Sequence, residues 1–224
     1  WYGVSIEDGH IVGLNLRSNY VRGTIPTSFS NLKHLRTLDL NGYYYSNNFS
    51  TADLNNLSGL EKLEYLDLSY NSIQTNIPDS WGNLTNLKTL LLNYNSVTGA
   101  LPTTLKNLTS LKTIEFNSNR ISNVDKSLGD LPLTGINFNY QTITQDEIEI
   151  SSNEINIDLP LHMVMKRTNN IISFDGIYQF TLFVNGNSKT NALSTKDGKL
   201  IIPNVSNLNI KTTDKISIQV NEGL

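Results

Sequence analysis

Apolar triplets with spacings of three and two recur along the first two thirds of the chain. They are Ile11/Leu14/Leu16, Leu35/Leu38/Leu40, Leu63/Leu66/Leu68, Leu87/Leu90/Leu92, Leu111/Ile114/Phe116 and Leu133/Ile136/Phe138. Successive triplets start 24, 28, 24, 24 and 22 residues apart. One such block cannot bury its apolar side alone, so blocks must stack and share a continuous core. Each triplet alternates apolar and variable residues, which predicts a short strand with leucines inward and the variable residues outward. Past the triplet the chain must turn inside the core, where unpaired backbone N–H and C=O groups are costly. Asn19, Asn71, Asn95 and Asn119 stand at that turn. An amide carries donors and acceptors together, so they are expected to form a buried structural ladder. Tyr43 and Gln141 take the asparagine's place in two repeats.

The period and the pattern L-x-x-L-x-L-x-x-N-x-L resemble leucine-rich repeats. The resemblance implies an α/β solenoid, a curved parallel sheet of about six repeats, with residues 1–144 as the repeat domain and its N-terminal cap. The segments "RGTIPTSFSNL", "QTNIPDSWGNL" and "TGALPTTLKNL" are similar to plant-type repeats, which often add a second short strand there. The opening "WYGV…HIVGLNL" is similar to the cap of plant receptors, but lacks the paired cysteines of those caps. The second repeat is four residues longer than its neighbours. Aligning Tyr45 with Ile73 places the extra residues within Ser50–Gly59, with Ser50-x-x-Asp53 as a capping box on a convex helical turn and Tyr45 in the core.

Beyond "NYQTIT" the pattern changes to strand-like stretches with hairpin signals, "NGN" at 185–187 and "DG" at 197–198. A small all-β immunoglobulin-like sandwich over 145–224 is the expected second domain, closing the open end of the last repeat. Repeats running directly into such a sandwich resemble bacterial internalin-type surface proteins. That resemblance implies a non-enzymatic, extracellular or bacterial cell-surface protein, an adhesin or receptor for a protein ligand.

Other classes find little support. Net charge is -3 with mixed signs, so there is no electrostatic case for nucleic acid. The chain has no Cys and no apolar run long enough to span a membrane. It opens on Trp1, which reads as a mature or trimmed segment. No phosphate loop or G-x-S-x-G motif occurs. His10, His34 and His162 are not at ligand spacing, and the acidic run Asp146, Glu147 and Glu149 reads as a solvated strand end. No cofactor or metal is expected. The sequons at Asn48, Asn56, Asn83, Asn107 and Asn204 matter only in a eukaryotic secretory pathway.

What remains is the outward face of the sheet. Its first column reads Gly13, Thr37, Tyr65, Thr89, Thr113, Gly135, and its second Asn15, Asp39, Asp67, Leu91, Glu115, Asn137. A third holds Arg17, Asn41, Ser69, Asn93, Asn117 and Asn139, a fourth Ser18, Gly42, Tyr70, Tyr94, Ser118 and Tyr140. Tyr65, Tyr70 and Tyr94 gather around Asp39 and Asp67, with Glu115 one strand beyond Leu91. Tyrosine offers large contact area at low entropy cost. These six residues are the candidate binding site for a protein partner. A glycan is the alternative ligand, a passive spacer the alternative role, and a monomer the expected state.

Overall fold

Each triplet builds one short parallel strand. The computed structural model describes residues 2–43, 47, 49, 53–138, 141–145, 150–151, 154–158, 166–168, 171–173, 178–185, 187–189, 194–196, 199–203, 208, 210 and 216–222. It divides into two compact units, Trp1–Phe138 and Asn139–Leu224. In the first, the strands are β1 (Val4–Glu7), β2 (His10–Asn15), β3 (Thr37–Asp39), β4 (Tyr65–Asp67), β5 (Thr89–Leu91), β6 (Thr98–Ala100), β7 (Thr113–Glu115), β8 (Arg120–Asn123) and β9 (Gly135–Asn137). A seven-stranded sheet runs β1-β2-β3-β4-β5-β7-β9. Its β2-to-β9 pairings are all parallel, because each repeat returns the chain to the same edge.

Between neighbours the register advances without a slip. Leu38 faces Leu66, Leu66 faces Leu90, and Leu90 faces Ile114. These four side chains are fully buried, each burial contributing about 1.5–3 kcal/mol. Past each strand the ladder continues: the amides of Leu16, Leu40, Leu68, Leu92 and Phe116 donate to the carbonyls of Asp39, Asp67, Leu91, Glu115 and Asn137 at 2.7 to 2.9 Å.

The first repeat departs from the expected pattern. Ile11 is 37% exposed, Leu14 and Leu16 are half-buried, and Val12 is the buried apolar side chain of β2. β2 has a repeat on one side only, so its triplet is packed between repeats on that side alone. On the other side β1 adds an antiparallel strand through a tight turn at Asp8 and Gly9, both at positive φ. That is the hairpin geometry an Asp-Gly pair favours.

The return segments are short 3-10 helices, at Thr27–Asn31, Leu54–Leu57, Asp79–Asn83, Thr103–Asn107 and Lys126–Asp130. No α-helix occurs among the described residues of this unit, so the α/β expectation is corrected to β with 3-10 turns. Segments of four or five residues are too short for α-helical hydrogen bonding, whereas 3-10 turns run in such lengths. Pro26, Pro78 and Pro102 sit in extended conformation just before three of them. Proline lacks an N–H and has its φ pre-set, so it costs nothing there. Where proline is missing, Asp53 and Asp125 take the cap and accept from the amides of Asn55 and Ser127. Asp53 is therefore the cap itself and not the closing residue of a box opened by Ser50, which lies outside the described residues. Beneath these turns Leu57, Trp81, Leu105 and Leu128 form a second buried row. The short second strand expected of plant-type repeats occurs as a parallel pair, β6 with β8.

The asparagine ladder is present with different members. Asn71 and Asn119 are buried and Asn95 is half-buried. The Asn119 amide donates to the carbonyls of Leu92 (2.9 Å) and Phe116 (3.0 Å), and its oxygen accepts from Val97 N–H at 2.9 Å. Asn95 does the same with Leu68, Leu92 and Ile73. Asn19 is exposed, and its amide donates to the nearby Arg17 carbonyl. In the second repeat Tyr43 is 52% exposed, and the ladder place belongs to Asn47, 2% exposed. The amide nitrogen of Asn47 donates to Leu16 and Leu40 carbonyls at 2.9 and 3.1 Å, while its oxygen accepts from the Asn19 and Val21 amides. Phe49, not Tyr45, then matches Ile73 in the core. The four extra residues of this repeat are thus Tyr43–Ser46, ahead of the asparagine and not within Ser50–Gly59. Tyr45 lies outside the described residues.

In the second unit, one four-stranded antiparallel sheet joins Gln141–Gln145, Ile216–Glu222, Tyr178–Val184 and Asn187–Lys189 in that order. Another joins Ile150–Ser151, Glu154–Asp158, Lys199–Pro203 and Ser194–Lys196. Both hairpin signals lie where strands reverse: Val184 pairs Asn187, and Lys196 pairs Lys199. An immunoglobulin-like packing of these sheets would rest on side chains outside the described residues, as do Gln141 as a ladder member, His162 and the Asp146–Glu149 run.

Candidate functional site

The register of the sheet sets the outward columns side by side. Gly13, Thr37, Tyr65, Thr89, Thr113 and Gly135 are successive partners, as are Asn15, Asp39, Asp67, Leu91, Glu115 and Asn137. Of the six candidate residues, Tyr65 and Asp67 lie on β4, Asp39 on β3 and Glu115 on β7, with Tyr70 and Tyr94 in the turns after β4 and β5.

Asp39 and Asp67 face each other across the strand pair and are only 6% and 2% exposed. Their oxygens are engaged. Asp39 accepts from Asn41 N–H at 3.0 Å and Asp67 from Ser69 N–H at 2.8 Å, each closing a turn two residues on. The Asn41 amide donates to the second Asp67 oxygen at 2.9 Å, and Arg17 approaches Asp39 at 3.8 Å. Burial raises the Asp39 carboxyl above the ordinary carboxylate range; the Asn41 N–H opposes it, Asp67 adds to it and Arg17 opposes it. These two carboxylates offer a ligand their field more than their surface.

Tyr65 lies half-buried over them, its hydroxyl a long 3.5 Å from Asp67. Burial first, then the Asp67 and Asp39 charges, push its phenol from 10.0 up to about 12. Because the folded value is raised, this contribution to stability is complete below the unfolded pKa and is lost as pH climbs through the folded one. We therefore expect an ultraviolet titration to show one phenol ionising near pH 12, and melting temperature to fall between pH 10 and 12. Tyr65→Phe should remove that phenol and flatten the fall; an unchanged titration curve would contradict the placement of Tyr65 over the acidic pair.

At the rim three tyrosines interlock. The Tyr70 and Tyr94 rings stack with centroids 4.4 Å apart and planes 16° apart, and Tyr43 meets Tyr70 edge-on at 4.6 Å and 73°. Burial, Tyr94 and Tyr43 raise the Tyr70 phenol in turn. Tyr70 and Tyr94 both stand at positive φ, 58° and 54°, as do Ser18 and Ser118 at the same place in their repeats. A bulky residue rarely adopts that conformation. In the second repeat the place falls to Gly42, where a Cβ would lie 2.1 Å from the Tyr70 carbonyl oxygen. Tyr43 fills the row instead, since the extra residues begin there. Sequence reasoning missed Tyr43 because its position was read as the asparagine's; a tyrosine directly after the column glycine was the available signal.

Glu115 is half-buried and held by the Asn93 amide at 2.8 Å, while the Asn93 oxygen accepts from Asn117 N–H at 3.2 Å. Leu91 separates it from Asp67, so it belongs to the Tyr94 side of the face and not to the acidic pair. Among the described residues no three acidic, His or Cys side chains are grouped to hold a metal. His10 and His34 stack at 3.7 Å at the sheet edge, away from these tyrosines in sequence and register.

Comparison with known proteins places these features. A family model described as a leucine-rich repeat region matches residues 15–141. Receptor-like protein EIX1 of Solanum lycopersicum is 46% identical over 63 residues, 28% of this chain and 6% of its own length. Among solved structures, the plant peptide hormone receptor RGFR1 in complex with RGF2 is 29% identical with a TM-score of 0.51, covering 55% of this chain and 19% of the receptor. The PEPR1–AtPEP1 crystal structure is 30% identical with a TM-score of 0.57, covering 64% and 20%. The chain thus spans a small fraction of these relatives. The curated relatives are plant receptor-like proteins, which supports the plant-type flavour of the repeats and not the resemblance to bacterial internalins.

Proposed function

The chain belongs to the leucine-rich repeat family, and from that premise we propose that it is a non-enzymatic recognition region that binds a peptide or protein partner outside the cell. The partner docks on the open, concave face over repeats two to four, on Tyr65, Tyr70 and Tyr94 with Tyr43 beside them. Asp39 and Asp67 supply negative potential from beneath, and Glu115 supplies it from the flank. The observation that carries this reading is the interlocked tyrosine rim. Tyr43 and Tyr94 are 52% and 46% exposed; the Tyr94 N–H donates to the Asn117 carbonyl of the repeat ladder, and the Tyr43 N–H donates to the Asn41 side chain. Pre-organised aromatic side chains lose little freedom on binding. Likeness to receptors whose solved structures include RGF2 and AtPEP1 supports the same ligand class.

The test is selection of binders from a displayed random peptide library against the whole chain. Tyr65→Ala and Tyr94→Ala should each weaken a selected peptide by about thirtyfold or more, as hot-spot truncations do, with the chain still folded at the assay temperature. Binding that survives both changes but is lost on altering Leu54–Leu57 would move the site off this face.

A further inference from the structure

We propose that the exposed ring face of Tyr94 is a seat for an arginine side chain of the partner, stacked on the phenol above Ser118 and paired with Glu115. This rests on the peptide-binding reading and names the chemistry of one contact within it.

The ring stack has a direction. Tyr70 is covered on one side by Tyr94 and met edge-on by Tyr43. Tyr94 therefore has one ring face turned toward Tyr70 and the other toward the fifth repeat. There the same turn position holds Ser118, at the same positive φ but with a side chain too small to continue the stack. The ring separation of 4.4 Å nearly equals the strand-to-strand step of about 4.8 Å. A planar group laid on the outer face of Tyr94 therefore sits over Ser118, on the repeat that carries Glu115.

Charge selects the planar group. The four outward columns carry three carboxylates, Asp39, Asp67 and Glu115, against one cation, Arg17, which lies in the first repeat beside Asp39. Around Tyr94 the described columns hold Glu115 and no cation. The Glu115 carboxylate is held in place by Asn93. A guanidinium is flat, weakly hydrated and able to stack on a phenol while donating to a carboxylate. An ammonium is compact and strongly hydrated, and stacks poorly. A sugar ring needs a broad open platform, and the face-to-face pairing of Tyr70 with Tyr94 removes two of the ring faces that would form one.

The probe is a fluorescent Gly/Ser nonapeptide with three arginines, compared with the same peptide carrying citrulline, which keeps the shape and loses the charge. Saturable binding of the arginine peptide is expected, weakened by about tenfold or more on replacement by citrulline. Tyr94→Ala and Glu115→Gln should each weaken it several-fold at unchanged melting temperature, and Tyr94→Phe should keep most of it. Equal binding of the two peptides, indifference to Tyr94→Ala, or Tyr94-dependent binding of an oligosaccharide instead would overturn the proposal. Library peptides that bind in a Tyr65-dependent way without arginine overturn this contact and leave the peptide-binding reading standing. Failure of every library peptide removes both.

Discussion

Asn47→Ala is expected to destabilise the repeat unit by at least about 3 kcal/mol, because buried backbone groups left unpaired cost ~1–3 kcal/mol each. The side chain serves five backbone groups: the Leu40 and Asn41 carbonyls in buried contacts, and the Leu16 carbonyl and the amides of Asn19 and Val21 in half-buried ones. No water reaches a residue that is 2% exposed to replace it. The controls are Asn19→Ala and Tyr43→Ala. Both side chains are exposed, and changes at such sites usually stay within ~0.5 kcal/mol. Denaturant midpoints for the three variants decide the matter. Equal effects at Asn47 and Asn19 would show that the ladder does not run through Asn47.

Trp81→Ala should cost about 3–5 kcal/mol, the range for removing a large buried aromatic. Trp81 is fully buried in the 3-10 turn Asp79–Asn83, in the row that includes Leu57 and Leu105. Its indole N–H also donates to the Leu54 carbonyl at 3.0 Å, tying one turn to the next. Two terms therefore add: a cavity, and a carbonyl left without its donor. Trp81→Phe separates them by keeping most of the volume and losing the bond, so a smaller loss is expected. A Trp81→Ala chain with an unchanged midpoint would mean that the convex row contributes nothing to stacking.

The sheet was legible because its information is local and repeated. Six triplets in one frame determine which residues point outward, and the register Gly13, Thr37, Tyr65, Thr89, Thr113, Gly135 follows directly. The ladder was half legible. Asn71, Asn95 and Asn119 keep the spacing, but the extra residues Tyr43–Ser46 shift Asn47 out of frame. The exposure of Ile11 and Asn19 was hidden for a different reason: a pattern does not say that β2 is flanked on one side by the antiparallel strand β1 and not by another repeat. Nor did it disclose that Asp39 and Asp67 are covered. Asp67 takes the Asn41 amide from the neighbouring repeat and the Tyr65 hydroxyl from its own strand, side-chain contacts that a pattern of apolar positions does not encode. The tyrosine row needed the second repeat's alignment to be right first, which is why Tyr43 went unseen.

The four residues inserted before Asn47 have a consequence for how this surface can change over generations. The Gly42 N–H donates to the Ser69 carbonyl, and Asn47 makes the ladder hydrogen bonds of the other repeats, so both sides of the insertion keep the repeat's bonding. Length at this point is therefore uncoupled from the interior. Doubling such a loop adds only about 0.6 kcal/mol of closure cost, so new sequence can be gained or lost there while the interior stays constant. That variable stretch begins with Tyr43, against the tyrosine row. A lineage of such proteins could retune what it recognises by trading segments at one hinge of descent, and a protein engineer could graft a binding loop at the same joint.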